Sequence, residues 1–202
     1  LVGPGAVDDE TPVLGTPPPQ SAEEMMKATG PVFDSFSYHF YPKVSERCGS
    51  TEGPEVALSD EFLSRMDADK SFYEDLRDTY LPGAPMWVTE TAQAACGGDR
   101  WASQFTDVFR YLDTLGRQSD GDGNVVFHNT LAASDYGLID EDGFEPRPDY
   151  WAAVLWQRLM GTRSLALDLG GLPEETTVHA SCNAESSDAQ VTYLVLNRSR
   201  SD

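Results

Sequence analysis

The segment Met86-Trp87-Val88-Thr89-Glu90-Thr91 is an apolar run that ends on a carboxylate, and small residues lead from it to Cys96-Gly97-Gly98. Such a run is typical of a buried β-strand that opens into a glycine-rich loop. In parallel α/β barrels the carboxyl ends of the strands carry the reactive groups, so a carboxylate at that position faces the substrate. Glu90 is therefore a candidate catalytic residue. The alternative is a surface carboxylate that follows an ordinary strand.

Three strand–helix units follow one another along the chain around this segment. Apolar runs predict the strands, and apolar residues at helical spacing predict the helices, which begin at capping residues and end at glycine or proline. The predicted strands span residues 32–41, 85–90 and 124–131, and the predicted helices span residues 23–29, 59–80, 100–117 and 148–161. This alternation favours a parallel sheet with helical crossovers, which is an α/β fold. Residues 1–20 show no such pattern and are predicted to form a loop.

Several large apolar residues on the last two helices are predicted to lie in the core. They recur every three or four residues, the spacing that places side chains on one helical face. They are Trp101, Phe105, Val108, Leu112 and Leu115 on the third helix, and Trp151, Val154, Leu155 and Leu159 on the fourth.

The pattern changes after residue 163. Residues 164–169, 177–182 and 190–197 are predicted strands, and no helix separates them. Strands in series without crossover helices are typical of an antiparallel sheet. We therefore expect two units, residues 1–163 and residues 164–202, of which the second is the start of a β-sandwich with too few strands to close.

The chain is strongly acidic, with 34 acidic and 14 basic residues among 202 and a net charge of −20. This charge disfavours nucleic acid, anionic membranes and highly sulfated polymers as partners, because they would be repelled at long range. There is no apolar run long enough to cross a membrane and no leader-like pattern at Leu1. Because the chain does not begin with Met, we expect it to be a fragment of a longer protein.

Three cysteines, Cys48, Cys96 and Cys182, match no metal-binding spacing, and no cofactor motif is present. Cys48 and Cys96 each lie a few residues beyond a predicted strand, so a disulfide between neighbouring loops is a possibility. Asn197-Arg198-Ser199 is a sequon for N-glycosylation, although such triplets also occur by chance. These features weakly favour an exported protein, secreted or held at a membrane by parts outside this chain.

Polar and aromatic residues stand at the ends of the three predicted strands. These are His39 and Tyr41, Glu90, and His128 and Asn129, with Tyr136 in the following loop. If the strands are parallel, all of these ends lie at one face, where carboxylate, imidazole, phenol and amide groups suit a polyhydroxylated ligand. A retaining glycosidase needs two carboxyl groups about 5–5.5 Å apart. The alternatives are that His39 and the tyrosines only pack in the core, and that Gly97-Gly98 is a plain turn.

Four segments together resemble family-79 glycoside hydrolases, which comprise the heparanases and related β-glucuronidases. They are Phe36-Ser37-Tyr38-His39-Phe40-Tyr41, Trp87-Val88-Thr89-Glu90-Thr91 with the trailing Gly97-Gly98, Asp135-Tyr136-Gly137-Leu138, and Pro146-Arg147-Pro148-Asp149-Tyr150-Trp151. Their order and spacing match the family over residues 31–165, and the following β segment also fits.

The resemblance implies a (β/α)8 barrel that carries a β-sandwich, of which this chain would hold the last strands of the barrel and the first strands of the sandwich. It implies that Glu90 is the nucleophile and that no metal or cofactor is needed. It also implies substrate contacts from His39, Tyr41, Gly97, Asn129 and Tyr136, of which the Gly97 N–H and Tyr136 would bind the uronate carboxylate.

Two features depart from the family pattern. Cys96 stands where heparanases have a glycine, and the chain lacks the Asn-Glu pair whose glutamate is the family's acid/base. We therefore expect a parent retaining β-glucuronidase whose acid/base lies in a missing N-terminal half, with this chain inactive alone. The acidity favours a small glucuronide or an uncharged-backbone glycan as substrate. The alternatives are a non-catalytic carbohydrate-binding piece, and a barrel glycosidase of another family that acts on neutral sugars.

Overall fold

The structure is a computed structural model that describes residues 1–10, 13, 15, 18, 20–121, 123–183 and 190–199. It contains seven strands and four α-helices, with a short 3-10 turn at Glu46–Cys48. In chain order the elements are β1 (Val2–Ala6), α1 (Ala22–Thr29), β2 (Ser35–Phe40), α2 (Asp60–Tyr80), β3 (Met86–Thr91), α3 (Phe105–Gln118), β4 (Val125–His128), α4 (Pro148–Leu159), β5 (Arg163–Leu165), β6 (Thr176–Asn183) and β7 (Gln190–Asn197).

Strands β1 to β4 form one parallel sheet in sequence order, which confirms the predicted α/β fold with helical crossovers. Helices α1 and α2 begin within a residue of their predicted starts. Ser21 accepts from the Glu24 N–H in a reciprocal capping box, and Ser59 accepts from the Phe62 N–H at 3.2 Å. Such caps satisfy backbone donors that the first helical turn leaves unpaired, and each contributes about 1 kcal/mol.

The main core lies between the parallel sheet and helices α1 and α2. Its largest buried side chains come from both layers and include Phe36, Tyr38, Met66, Tyr73 and Val88. Alternate residues of β2 and β3 supply the sheet side of this core, so the carboxyl ends of both strands are fixed relative to one another. None of the helices in the described part of the chain is both long and apolar enough to cross a bilayer.

Strands β5, β6 and β7 form a separate antiparallel sheet. One face of this sheet packs on helices α3 and α4 through Leu194 and Leu196. His179 on β6 also contacts Asp113 on α3, with 2.9 Å between Nε2 and Oδ1. The opposite face is apolar and exposed, with Val191, Tyr193 and Val195 at 48%, 61% and 60% relative exposure.

One prediction of secondary structure is wrong, because β1 forms where the sequence predicts a loop. Its composition, Val-Gly-Pro-Gly-Ala, carries no strand signal. The strand forms because it pairs with β2 and because the Gly3 backbone lies against Phe33, where a Cβ would come within 2.3 Å of the ring. Tertiary contact therefore overrides local propensity at this edge of the sheet.

The predicted buried face of α3 forms through Val108, Leu112 and Leu115 but not through Phe105, and the predicted buried face of α4 is wrong. Helix α3 begins at Phe105 rather than at residue 100, so Trp101 precedes it, and Phe105 is 71% exposed at its first turn. The buried face of α4 consists of Ala152, Ala153 and Trp156, and it packs toward α3. The face of Trp151, Leu155 and Leu159 is exposed instead. Since α4 is apolar on nearly every side, residue spacing does not distinguish between these faces.

Candidate active site

The strand ends meet as parallel pairing requires. His39 on β2 is the register partner of Glu90 on β3, and Thr91 is the partner of His128 on β4. The Asn129 N–H, one residue beyond β4, donates to the Thr91 carbonyl at 2.9 Å. The three predicted strand ends therefore lie side by side at one edge of the sheet.

Within the described ranges, Glu90 accepts side-chain hydrogen bonds through only one of its carboxylate oxygens. The Tyr41 hydroxyl donates to Oε1, and Asn129 Nδ2 donates to the same oxygen at 2.9 Å. The second oxygen, Oε2, faces His39 Nδ1 at 3.6 Å. The Glu90 side chain is 36% exposed, so the carboxylate is oriented by the protein and is also open to a ligand.

Tyr41 is buried and acts as a donor to the carboxylate. Burial raises the pKa of its phenol far above the ordinary value, and the adjacent Glu90 raises it further. The hydroxyl therefore keeps its proton at every physiological pH. Asn129 Nδ2 lies 2.8 Å from the Tyr41 oxygen, which accepts from the amide while its own hydrogen goes to Glu90.

Tyr136 joins this group from the loop after β4. Asn129 Nδ2 lies 3.4 Å from its hydroxyl oxygen. Its ring packs on Gly98, where a Cβ would come within 2.9 Å of the ring carbon Cδ1. Gly98 has a φ of +77°, so both space and backbone conformation require glycine here. The predicted residues Tyr41, Glu90 and Asn129 thus share one hydrogen-bonded cluster with Tyr136.

The glycine loop is fastened to the segment that precedes Tyr136. The Asp135 N–H donates to the Gly97 carbonyl at 3.0 Å. Arg47 donates to the Gly98 carbonyl at 2.5 Å and forms an ion pair with Asp135. Gly97 is therefore held near Tyr136, although it makes no hydrogen bond with the Glu90 cluster in the described residues.

A disulfide joins Cys48 and Cys96, the pair that the predicted loop positions allow. It connects the turn after β2 with the start of the glycine loop. Cys182 is a free, half-buried thiol. No group of histidines, cysteines and carboxylates in the described ranges is arranged to hold a metal ion.

Sequence reasoning missed a buried ion pair beneath the glycine loop. Lys43 Nζ lies 2.7 Å from Asp99 Oδ2, and both side chains are less than 5% exposed. Asp99 also accepts from the Glu46 N–H and from Gln93 Nε2. Burial is the largest single influence on Asp99 and opposes its charge, but the hydrogen bonds from Lys43, the Glu46 N–H and Gln93, together with the Lys43 charge, outweigh it and lower the pKa of the carboxyl. The sequence signal for this pair is that Lys43 comes soon after Tyr41 and that Asp99 directly follows Gly97-Gly98.

No family model matches the chain, but individual relatives do. Heparanase-like protein 1 of Arabidopsis thaliana is 33% identical over 181 residues, which is 87% of this chain and 32% of the relative. Baicalin-beta-D-glucuronidase of Scutellaria baicalensis is 32% identical over 193 residues, which is 88% of this chain and 36% of the relative. The chain thus spans about a third of the length of these curated relatives.

Among solved structures, a monomeric beta-xylosidase from Caulobacter crescentus has a similar fold. The TM-score is 0.52 at 16% identity, and the match covers 79% of this chain and 33% of that one. At this identity the likeness concerns the fold alone. The sequence relatives are heparanase-like proteins and a β-D-glucuronidase, and this similarity over most of the chain is consistent with glycoside hydrolase family 79.

Proposed function

We propose that the protein is part of a retaining glycoside hydrolase that releases β-linked glucuronic acid, with Glu90 as its nucleophile. The observation that carries this proposal is the asymmetric hold on Glu90. Two donors, Tyr41 and Asn129, engage Oε1, while Oε2 accepts no hydrogen bond from the described residues and lies 3.6 Å from His39 Nδ1. A carboxylate oriented in this way presents one oxygen for attack on an anomeric carbon.

The first half-reaction forms a covalent glycosyl-enzyme. Glu90 Oε2 attacks the anomeric carbon as the bond to the leaving oxygen breaks, and a carboxylic acid protonates that oxygen. The same group then removes a proton from water, which attacks the anomeric carbon and releases Glu90. The sequence has no Asn-Glu pair, so we assign the acid/base to a part of the longer protein outside this chain. Accordingly, we expect the 202-residue chain alone to be inactive.

We assign uronate recognition to Tyr136 and the Gly97 N–H, and hydroxyl contacts to His39. The Tyr136 hydroxyl donates to no acceptor among the described residues, so its hydrogen can point at a ligand carboxylate. With a neutral sugar these donors are left unpaired, and a buried donor without a partner costs about 1–3 kcal/mol. The net charge of −20 favours a small glucuronide or an uncharged-backbone glycan over a sulfated polymer.

We further propose that residues 1–163 are the last strands of a (β/α)8 barrel and that residues 164–202 begin a β-sandwich. Strands β1 and β4 each have a single neighbour among the described residues, so the parallel sheet is open at both edges. Edges of this kind are closed in a barrel. The exposed apolar face of Val191, Tyr193 and Val195 suits the second sheet of a sandwich.

The proposal is tested by kinetics of the complete protein with an aryl β-glucuronide. Glu90→Gln removes the nucleophile, so kcat should fall by at least about 10³-fold while the variant still binds substrate. Glu46→Gln and Glu141→Gln, two exposed loop carboxylates, are the matched controls and should keep wild-type rates. Near-full activity in Glu90→Gln contradicts the assignment. Faster turnover of a glucoside or xyloside than of the glucuronide would favour a neutral-sugar glycosidase instead.

A further inference from the structure

Two side chains outside the proposed catalytic cluster converge on one main-chain oxygen, the carbonyl of Tyr136. Ser103 Oγ lies 3.1 Å from this oxygen, and His128 Nε2 lies 2.8 Å from it. A carbonyl oxygen has two lone pairs and can accept from both groups. Tyr136 is therefore held at its backbone, and its hydroxyl oxygen lies 3.4 Å from Asn129 Nδ2.

His128 is a neutral donor in this arrangement. Its ring stands edge-on to Tyr111, with 5.2 Å between ring centroids, and burial lowers its pKa to about 4. Since a carbonyl can only accept, the imidazole carries its hydrogen on Nε2. His128 also directly precedes Asn129, so one short stretch of chain holds both the carbonyl and the hydroxyl of Tyr136.

Ser103 reaches the same carbonyl from a buried acidic cluster. Its N–H donates to Asp107 Oδ2 at 3.1 Å, and its hydroxyl lies 3.4 Å from Asp149 Oδ2. The hydroxyl has one hydrogen to share between Asp149 and Tyr136. Burial and the neighbouring Asp107 raise the pKa of Asp149, so Asp149 is protonated and is a weak acceptor. The Ser103 hydrogen is then available to the Tyr136 carbonyl.

We propose that Ser103 and His128 are positioning residues that determine selectivity for a uronate over a neutral sugar. They fix the Tyr136 backbone against the Gly98 loop, and so they set where the phenol stands relative to Asn129 and Glu90. Recognition of a carboxylate depends on such placement to within about 0.5 Å. This inference rests on the proposed role of Tyr136 in uronate binding.

The test compares His128→Phe with His128→Gln in the complete protein. Phenylalanine fills the space without a donor, whereas glutamine can place an amide N–H near the carbonyl. We expect His128→Phe to lower the ratio of glucuronide to glucoside kcat/KM by about tenfold or more, mainly through KM for the glucuronide. His128→Gln should recover most of the ratio. Calorimetric affinities for free glucuronate and glucose should change in the same sense.

Three further variants keep the test decisive. His179→Gln alters a histidine on β6 that contacts Asp113 and should leave the ratio unchanged. If His128→Phe does not fold, Ser103→Ala removes the other donor and Ser103→Thr restores it. An unchanged ratio in a folded His128→Phe or Ser103→Ala, or an equal loss on both substrates, overturns the inference. A wild-type protein that neither hydrolyses nor binds glucuronate overturns the proposed function itself, and this inference with it.

Discussion

The pH dependence of stability should reveal a protonated carboxyl at Asp149. Asp149 and Asp107 are both fully buried, and among the described residues a single arginine, Arg110, forms an ion pair with either of them, through Asp107. Burial acts to raise the pKa of Asp107 as well, but the charge and hydrogen bonds of Arg110, with the bonds from Asp149 and the Ser103 N–H, together outweigh burial and lower this pKa. Asp149 has no ion-pair partner in the described part of the chain, and burial together with the Asp107 charge raises its pKa to about 9. Its place in the first turn of α4 favours ionisation by only about 0.3–1 kcal/mol, which is too little to reverse this.

The sign of the effect follows from proton uptake. The folded protein keeps a proton on Asp149 that the unfolded chain releases above about pH 4, so stability falls as pH rises through this window. Each pH unit costs about 1.36 kcal/mol, so the interval from pH 5 to pH 7 removes at most about 2.7 kcal/mol. Asp149→Asn carries a neutral amide at every pH and avoids this loss.

Urea unfolding of wild type and Asp149→Asn at pH 5, 6 and 7 measures the difference directly. We expect Asp149→Asn to gain stability relative to wild type by about 1–2.7 kcal/mol between pH 5 and pH 7. Asp142→Asn, an exposed control, should follow the wild-type curve. A difference between Asp149→Asn and wild type that does not change with pH would show that Asp149 is ionised in the folded state, and would refute this reasoning.

Two further variants probe the site and the glycine loop. Tyr41→Phe removes a hydrogen-bond donor to the Glu90 carboxylate. Because a hydrogen bond to a charged group is worth about 1.5–3 kcal/mol, kcat should fall about 10- to 100-fold with little change in KM. An unaltered kcat would show that this bond does not orient the nucleophile. Gly98→Ala forces a Cβ against the ring of Tyr136 at positive φ and should lower the unfolding free energy by about 2 kcal/mol or more. Gly170→Ala, where a Cβ meets open space, should change it by less than about 0.5 kcal/mol, and equal effects of the two glycine variants in thermal or urea unfolding would contradict the steric argument.

The sequence predicts much of the parallel sheet because periodic patterns report local structure directly. Strand β3 and helix α2 fall within a residue or two of their predicted bounds. Strand β1 escapes prediction because its pairing with β2 is long-range and its own residues are poor strand formers. The exposed face of α4 escapes prediction because an evenly apolar helix does not indicate which side is covered.

The candidate site, like the fold, is predicted from the sequence only in part. Parallel strands imply that Glu90 and Asn129 meet, and the structure places them 2.9 Å apart. The sequence does not indicate which Glu90 oxygen is engaged, since that depends on side-chain geometry. Nor does it show that Ser103 and His128 share one carbonyl, because Ser103 lies before α3 and its contact is set by tertiary packing.

The most direct test of Glu90 as nucleophile is to trap the covalent intermediate. In a 2-deoxy-2-fluoro-glucuronyl fluoride, the fluorine at carbon 2 slows both steps of the reaction. The anomeric fluoride leaves without protonation, so the glycosyl-enzyme forms and accumulates. Peptide mass spectrometry of the labelled complete protein should place one fluoroglucuronyl group on Glu90, and Glu90→Gln should remain unlabelled. Stoichiometric labelling of another carboxylate, or turnover with inversion and no adduct, would contradict the account.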